Sequence, residues 1–190
     1  MKDEPLSYQL ARVIGPRIPA CLRKVRHLGG VVSGSGVTKL LMPSYCQTDW
    51  YSCGPIAAWS VLETFHPDAD FATFYHACRP LPTEGTSESK LVKALRQHGV
   101  GISVRHDLTF DRIASAIESG FPIITGVGED ESGDGDHWVV IYGVSRKPKR
   151  LFVSNIVRMH NPFNSREAFT WSEWREEWNP RGEGLVCWGK

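Results

Sequence analysis

The sequence predicts an α+β fold, with helices first and a mostly antiparallel sheet after them. Two observations predict it. Apolar residues recur with a 3.6-residue period over 54–65, 87–98 and 110–117, and each run is closed by a glycine or by His66-Pro67. Later in the chain come short apolar runs at 121–127, 137–144, 151–153 and 185–188, two of them joined by the turn Arg146-Lys147-Pro148-Lys149 as a hairpin.

Taken in order, residues 1 to about 30 hold Leu10, Val13, Ile14 and Ile18, but Pro16 and Pro19 interrupt any long helix. Arg12, Arg17, Arg23, Lys24 and Arg26 make this arm basic. Leu28-Gly29-Gly30 leads into Val31 to Val37, which reads as a turn or linker, so a boundary is expected near residue 36, with one domain over 37–190. Lys39 to Pro43 is a short strand candidate. Ala57, Ala58, Val61, Leu62 and Phe65 then share one helical face, with Pro55 in the first turn, where a missing N–H costs nothing. Phe71, Phe74 and Tyr75 mark a second short helix. Thr86 is expected to cap a helix from Ser87 to His98, and Thr109 another, with Phe110, Ile113, Ala114 and Ile117 inward. Ile102 to Val104 is a strand, and Met159 to Phe163 a loop. Trp171, Trp174 and Trp178 fall on one face of a short helix and read as a core patch.

Composition narrows the function classes. The chain has 190 residues and a net charge of +1, so no global field points to nucleic acid or a membrane surface. No apolar run approaches the roughly 18 residues that span a bilayer, so membrane insertion is not expected. The N-terminus, Met1-Lys2-Asp3-Glu4-Pro5, does not read as a secretory signal, and a reducing cytoplasm is the expected location, with export by a route that reads no N-terminal signal as the alternative. Cys21, Cys46, Cys53, Cys78 and Cys187 are odd in number and form no CxxC pair, which argues against a disulfide framework and a zinc site; no cofactor or metal is expected.

The chemistry centres on Cys46 to Ala58. Cys53 stands at the mouth of a helix, among unpaired backbone N–H groups and at the positive end of the helix dipole; both favour a thiolate. Gln47 carries an amide donor that could reach the oxygen of a carbonyl under attack. Such an attack needs a base and a partner that holds the base in one tautomer. His137 opens an apolar strand directly after the acidic, glycine-rich stretch Gly128 to Asp136 and is the best base. Asn161 lies beyond the hairpin return and is the best orienting partner; Asn155 and Asp136 compete for that role. The acidic stretch reads as a solvated flap that favours imidazolium. His66, His76, His98, His106 and His160 read as capping or surface residues.

Gln47-x5-Cys53-Gly54-Pro55, Gly85-Thr86 opening a helix, His137-Trp138-Val139-Val140-Ile141-Tyr142-Gly143, and Asn161-Pro162 before a Trp-rich helix together resemble a known pattern. It is that of the papain-like cysteine peptidases of the bacteriocin-processing, double-glycine type, and the resemblance runs from about Pro43 to Trp178. It implies a papain-like fold, Cys53 as nucleophile, His137 as base and Gln47 as oxyanion donor. An aspartate is more common than asparagine at the position of Asn161. Family members often head an ABC exporter, and this chain would be a stand-alone version whose exporter or partner protein is open. The implied substrate is a peptide or protein cut after a Gly-Gly-like site. Related acyl transfer (deamidase, amidase or ligase), a secreted effector, or a cleft that binds without turnover are the alternatives. The chain's own Leu28-Gly29-Gly30 raises self-processing at Gly30, against a plain linker.

Overall fold

A computed structural model describes residues 30–45, 49, 51–128, 137–158, 161–179 and 181–190. Gln47, Cys46, the expected arm up to Gly29, and the acidic stretch from Glu129 through Asp136 lie outside the described residues. In chain order the elements are β1 (Val31–Gly34), β2 (Val37–Leu40), α1 (Cys53–Phe65), α2 (Phe71–Cys78), α3 (Glu88–Gln97), β3 (Val100–Arg105) and α4 (Phe110–Glu118). They continue with β4 (Ile123–Val127), β5 (His137–Arg146), β6 (Lys149–Arg158), β7 (Asn161–Thr170), α5 (Trp171–Glu173) running into a π turn (Trp174–Trp178), and β8 (Gly184–Gly189).

The sheet is organised on β5. One edge of β5 pairs first with β4, from His137 opposite Val127 to Ile141 opposite Ile123, and then with β2, from Gly143 opposite Lys39 to Ser145 opposite Val37. The other edge pairs with β6, which in turn pairs with β7. β8 and β3 extend the sheet beyond β4, and all pairings are antiparallel. The stretch expected as a linker over 31–37 is therefore a hairpin, β1–β2, joined to the sheet. Val31, Val32 and Val37 are β-branched, and Ser35-Gly36 supplies the two positive-φ residues that a tight hairpin turn requires.

Alternation along β5 divides the core. Val140 and Tyr142 face α1, α2 and α3, with Ala57, Ala58, Val61, Leu62, Phe74, Leu91 and Leu95. Val139 and Ile141 face α4, with Ile113, Ile117, Phe169 and Trp174. A shift of register against β6 between Ile141 and Gly143 reverses the parity, so that Val144 joins the α4 side. A Cβ at Gly143 would lie 2.9 Å from Lys39 Cγ and 3.0 Å from the Thr38 carbonyl, so only glycine passes between β2 and β6 there.

α1 is buried on nearly every side rather than on one stripe. Its polar residues are satisfied locally. Ser60 and Thr64 donate back to the carbonyls of Ile56 (3.2 Å) and Ser60 (2.7 Å). The Glu63 carboxylate accepts from the Tyr45 hydroxyl. Three smaller expectations are corrected. Ser87, not Thr86, is the N-cap of α3. The loop expected over 159–163 is, from Asn161 onward, the first part of β7. The tryptophan helix is three α residues, opened by a reciprocal Thr170–Glu173 capping box, and then a π turn. Trp174 is buried against Phe169, as a core patch requires.

Candidate active site

The chain enters α1 through a turn made by Asp49, whose carboxylate accepts from the backbone N–H of Tyr51 (3.0 Å) and Ser52 (2.7 Å). The first helical hydrogen bond then runs from Ile56 N–H to the Ser52 carbonyl at 3.0 Å. Cys53 is the first helical residue and is only 6% exposed. Burial pushes its thiol above the ordinary value. The amides of Trp138 and Gly54 pull the other way, the Asp49 carboxylate adds to the rise, and the amide of Cys53 itself pulls down. The helix mouth thus supplies the expected thiolate-stabilising amides, but desolvation outweighs them.

His137 is the first residue of β5 and is half-buried. The next residue meets the tip of α1 at two points and the Gly85-Thr86 turn at a third. The Trp138 main-chain N–H donates to the Cys53 sulfur. Its indole Nε1–H donates to the Thr86 carbonyl at 2.9 Å. Its Cδ1 lies 3.1 Å from where a Cβ on Gly54 would be. Cys53 and the start of the His137 strand are therefore neighbours.

β6 runs antiparallel to β5 and β7 antiparallel to β6, so the end of β6 and the beginning of β7 lie at the His137 end of the sheet. Asn161, opposite Arg158, begins β7, two strands from β5. Asn155 stands on β6, the direct neighbour of β5, one residue beyond Ser154, the register partner of Val140. Asp136, the third candidate for the orienting role, and Gln47 lie outside the described residues.

Sequence reasoning passed over Asp49, Thr86 and Trp138 as parts of this site. An aspartate two and three residues ahead of the amides it accepts from was a legible signal; the wedge of a tryptophan on a glycine was not, because it joins residues 84 positions apart in sequence. Elsewhere, Gly30 bears on self-processing. Its carbonyl accepts from Leu41 N–H at 2.8 Å, so cleavage after Gly30 would remove this bond at the start of the hairpin while leaving β1 joined to β2. Among the described residues no group of three or more His, Cys, Asp or Glu side chains could hold a metal ion, and no helix is long and apolar enough to cross a membrane.

The Peptidase C39 family model matches residues 42–177, most of the chain. Among solved structures, a double glycine motif protease from an AMS/PCAT transporter, solved in complex with the leader peptide, is similar at a TM-score of 0.61 and 16% identity, covering 85% of this chain and 99% of that one. A putative C39-like peptidase from Bacillus anthracis is similar at 0.57 and 10% identity, covering 78% and 94%. The peptidase domain of Streptococcus ComA, a bi-functional ABC transporter involved in a quorum-sensing pathway, gives 0.54 and 17%, covering 77% and 98%. No curated protein matches the chain. At these identities the structures speak to the fold, and they share the papain-like arrangement of a buried helix against an antiparallel sheet. The family match over most of the chain identifies it: the protein belongs to the Peptidase C39 family and is a cysteine peptidase.

Proposed function

We propose that the chain hydrolyses a peptide bond through Cys53 as nucleophile and His137 as general base, after a Gly-Gly-like site in a leader-type peptide. The observation that carries this reading is the contact of the Cys53 sulfur with the backbone of Trp138, the residue beside His137, at the N-terminus of a buried helix.

The chemistry follows from the environment of the thiol. Because burial holds Cys53 in its protonated form more firmly than the adjacent amides release it, the site needs a base to take the proton. His137 accepts it, and the thiolate adds to the carbonyl carbon. The oxygen of the tetrahedral adduct takes its charge beside the amides at the mouth of α1 and the side-chain N–H₂ of Gln47. The imidazolium returns its proton to the departing amine as the carbon–nitrogen bond breaks, leaving a thioester on Cys53. Water, deprotonated by His137, then releases the acid and regenerates the thiol.

For the group that orients His137, strand adjacency favours Asn155, whereas Asn161 is favoured by the Asn-Pro pattern of the family resemblance. Single alanine variants separate them: the orienting residue lowers kcat by about 10²–10⁴-fold, on the scale of acid–base catalysis, and the other leaves it within a few-fold. Gly-Gly selectivity is supported by the leader complex of the similar double glycine motif protease. The test is a quenched-fluorescence peptide carrying one Gly-Gly pair. Cleavage after the second glycine that is lost in Cys53→Ala and in His137→Ala is the expected result. Cleavage that persists in Cys53→Ala would overturn the reading.

A further inference from the structure

We infer that Trp138 is a positioning residue for catalysis: wedged between Gly54 and Thr86, it sets the beginning of β5, and with it His137, against Cys53. This rests on the reading of Cys53 and His137 as nucleophile and base.

The first residues of β5 are held from more than one side. β4 pairs with them along one edge, from Val127 opposite His137. On the other edge, the described pairing with β6 begins only at Val140. Toward α1, Trp138 supplies a link. Its ring fills the space that the missing side chain of Gly54 leaves open, with Thr86 Cβ 3.2 Å and Leu91 Cδ1 3.4 Å from the same point. Its indole N–H is held by the Thr86 carbonyl at 2.9 Å. Thr86 itself is 3% exposed, and its hydroxyl is buried with no partner among the described residues, so it meets the tryptophan through its carbonyl. Directly before Thr86, Gly85 adopts φ +61°, a conformation that turns the chain back toward Tyr51 at the approach to α1. The indole thus ties three segments into one corner: the tip of the nucleophile helix, the Gly85-Thr86 turn and the strand that opens with His137.

A side chain that acts this way has no chemical role of its own, and its loss should appear as misalignment of the dyad. Misplacement of a reacting group by about 1 Å costs on the order of 10²-fold. The full chain is compared with Trp138→Phe, which keeps an aromatic ring but loses the N–H, and with 3-benzothienylalanine placed at 138, which keeps the shape of the indole and loses the N–H alone. Two readouts are taken. The first is kcat and KM on a Gly-Gly aminomethylcoumarin amide. The second is the pH profile of iodoacetamide alkylation at Cys53, resolved by peptide mapping, with Asp49 as the charged neighbour common to all variants.

The expected result is a fall in kcat of about 10-fold or more with KM within about three-fold, since only alignment in the transition state is lost. The Cys53 alkylation profile moves toward that of His137→Ala, and Trp138→Phe has no further effect in the His137→Ala background. An unchanged profile overturns the inference, whether or not stability falls, and so does a loss of kcat that adds fully to that of His137→Ala. If His137→Ala itself leaves kcat and the profile unchanged, the reading of the dyad fails instead, and the inference falls with it.

Discussion

Gly54→Ala probes the tightest approach in the site. The added methyl would lie 3.1 Å from Trp138 Cδ1, 3.2 Å from Thr86 Cβ and 3.4 Å from Leu91 Cδ1. Carbon atoms rest at about 3.5–4.0 Å, so the ring of Trp138 must retreat by roughly 0.4–0.9 Å. Alanine in place of glycine in a helix favours folding by up to about 1 kcal/mol. Overpacking a filled site costs about 1–3 kcal/mol. The net is a destabilisation between about zero and 2 kcal/mol, read as a lower midpoint in urea at unchanged m-value. Activity should suffer more than stability. A displacement of several tenths of an ångström in the strand that carries His137 should lower kcat/KM by about 10-fold, on the scale of 10²-fold per ångström. Urea titration beside peptide cleavage by the same preparations measures both. A Gly54→Ala variant more stable by about 1 kcal/mol and with wild-type kcat/KM would refute the reasoning, because propensity alone would then describe the site.

Further predictions follow from burial and charge. Burial holds the Cys78 and Cys187 thiols at about 12, so iodoacetamide at pH 8 should leave both unlabelled in the folded protein while labelling Cys53; mass mapping after denaturation in a second isotope reads the difference. Glu63 is buried in α1, and desolvation holds its pKa above the ordinary carboxylate value although the Tyr45 hydroxyl bond pulls down. A raised carboxyl pKa favours folding below the unfolded value of about 4.3, and that contribution is lost as pH rises through the folded value. Glu63→Gln, which keeps an acceptor for Tyr45, should therefore raise Tm at pH 7, and the gap should close toward pH 4; an equal gap at both values would contradict this sign. Asn179 is buried and accepts from the amides of Gly182 (2.9 Å) and Glu183 (3.3 Å) while donating to Thr125 Oγ1 (2.8 Å) and the Glu183 carbonyl (3.0 Å). Asn179→Ala leaves several of these groups unpaired at about 1–3 kcal/mol each, so chemical denaturation should show a loss of at least about 3 kcal/mol.

The parts of this protein legible in the sequence are those whose cause is local. The helix at Cys53 could be read from Gly-Pro, an apolar period and a His-Pro stop, all within 14 residues. Thr109 accepts from the Arg112 amide at 3.4 Å as its N-cap position predicts. Residues 31–37 read as a linker because Ser33 to Gly36 carries turn residues, although Lys39 to Pro43 reads as a strand; the hairpin they form depends on pairing with β5, more than 100 positions away. The same holds for β7. Asn161-Pro162 reads as a turn, and only the register with β6 makes it a strand start. In the site, residue types announced a nucleophile and a base, whereas the wedge of Trp138 on Gly54 is a tertiary contact that no local pattern encodes. The raised thiol of Cys53 was hidden for a related reason. The helix mouth is visible in the sequence, but the depth at which the fold buries it is not.

The central claim is that Cys53 forms a covalent acyl intermediate, and mass spectrometry tests it most directly. The full chain is mixed with a Gly-Gly peptide ester, quenched in acid within the first turnover and digested. The account predicts the acyl mass on the peptide containing Cys53, absent in Cys53→Ala, and accumulating before steady-state release. Hydrolysis that proceeds with no adduct on Cys53, or with the same rate in Cys53→Ala, would contradict it.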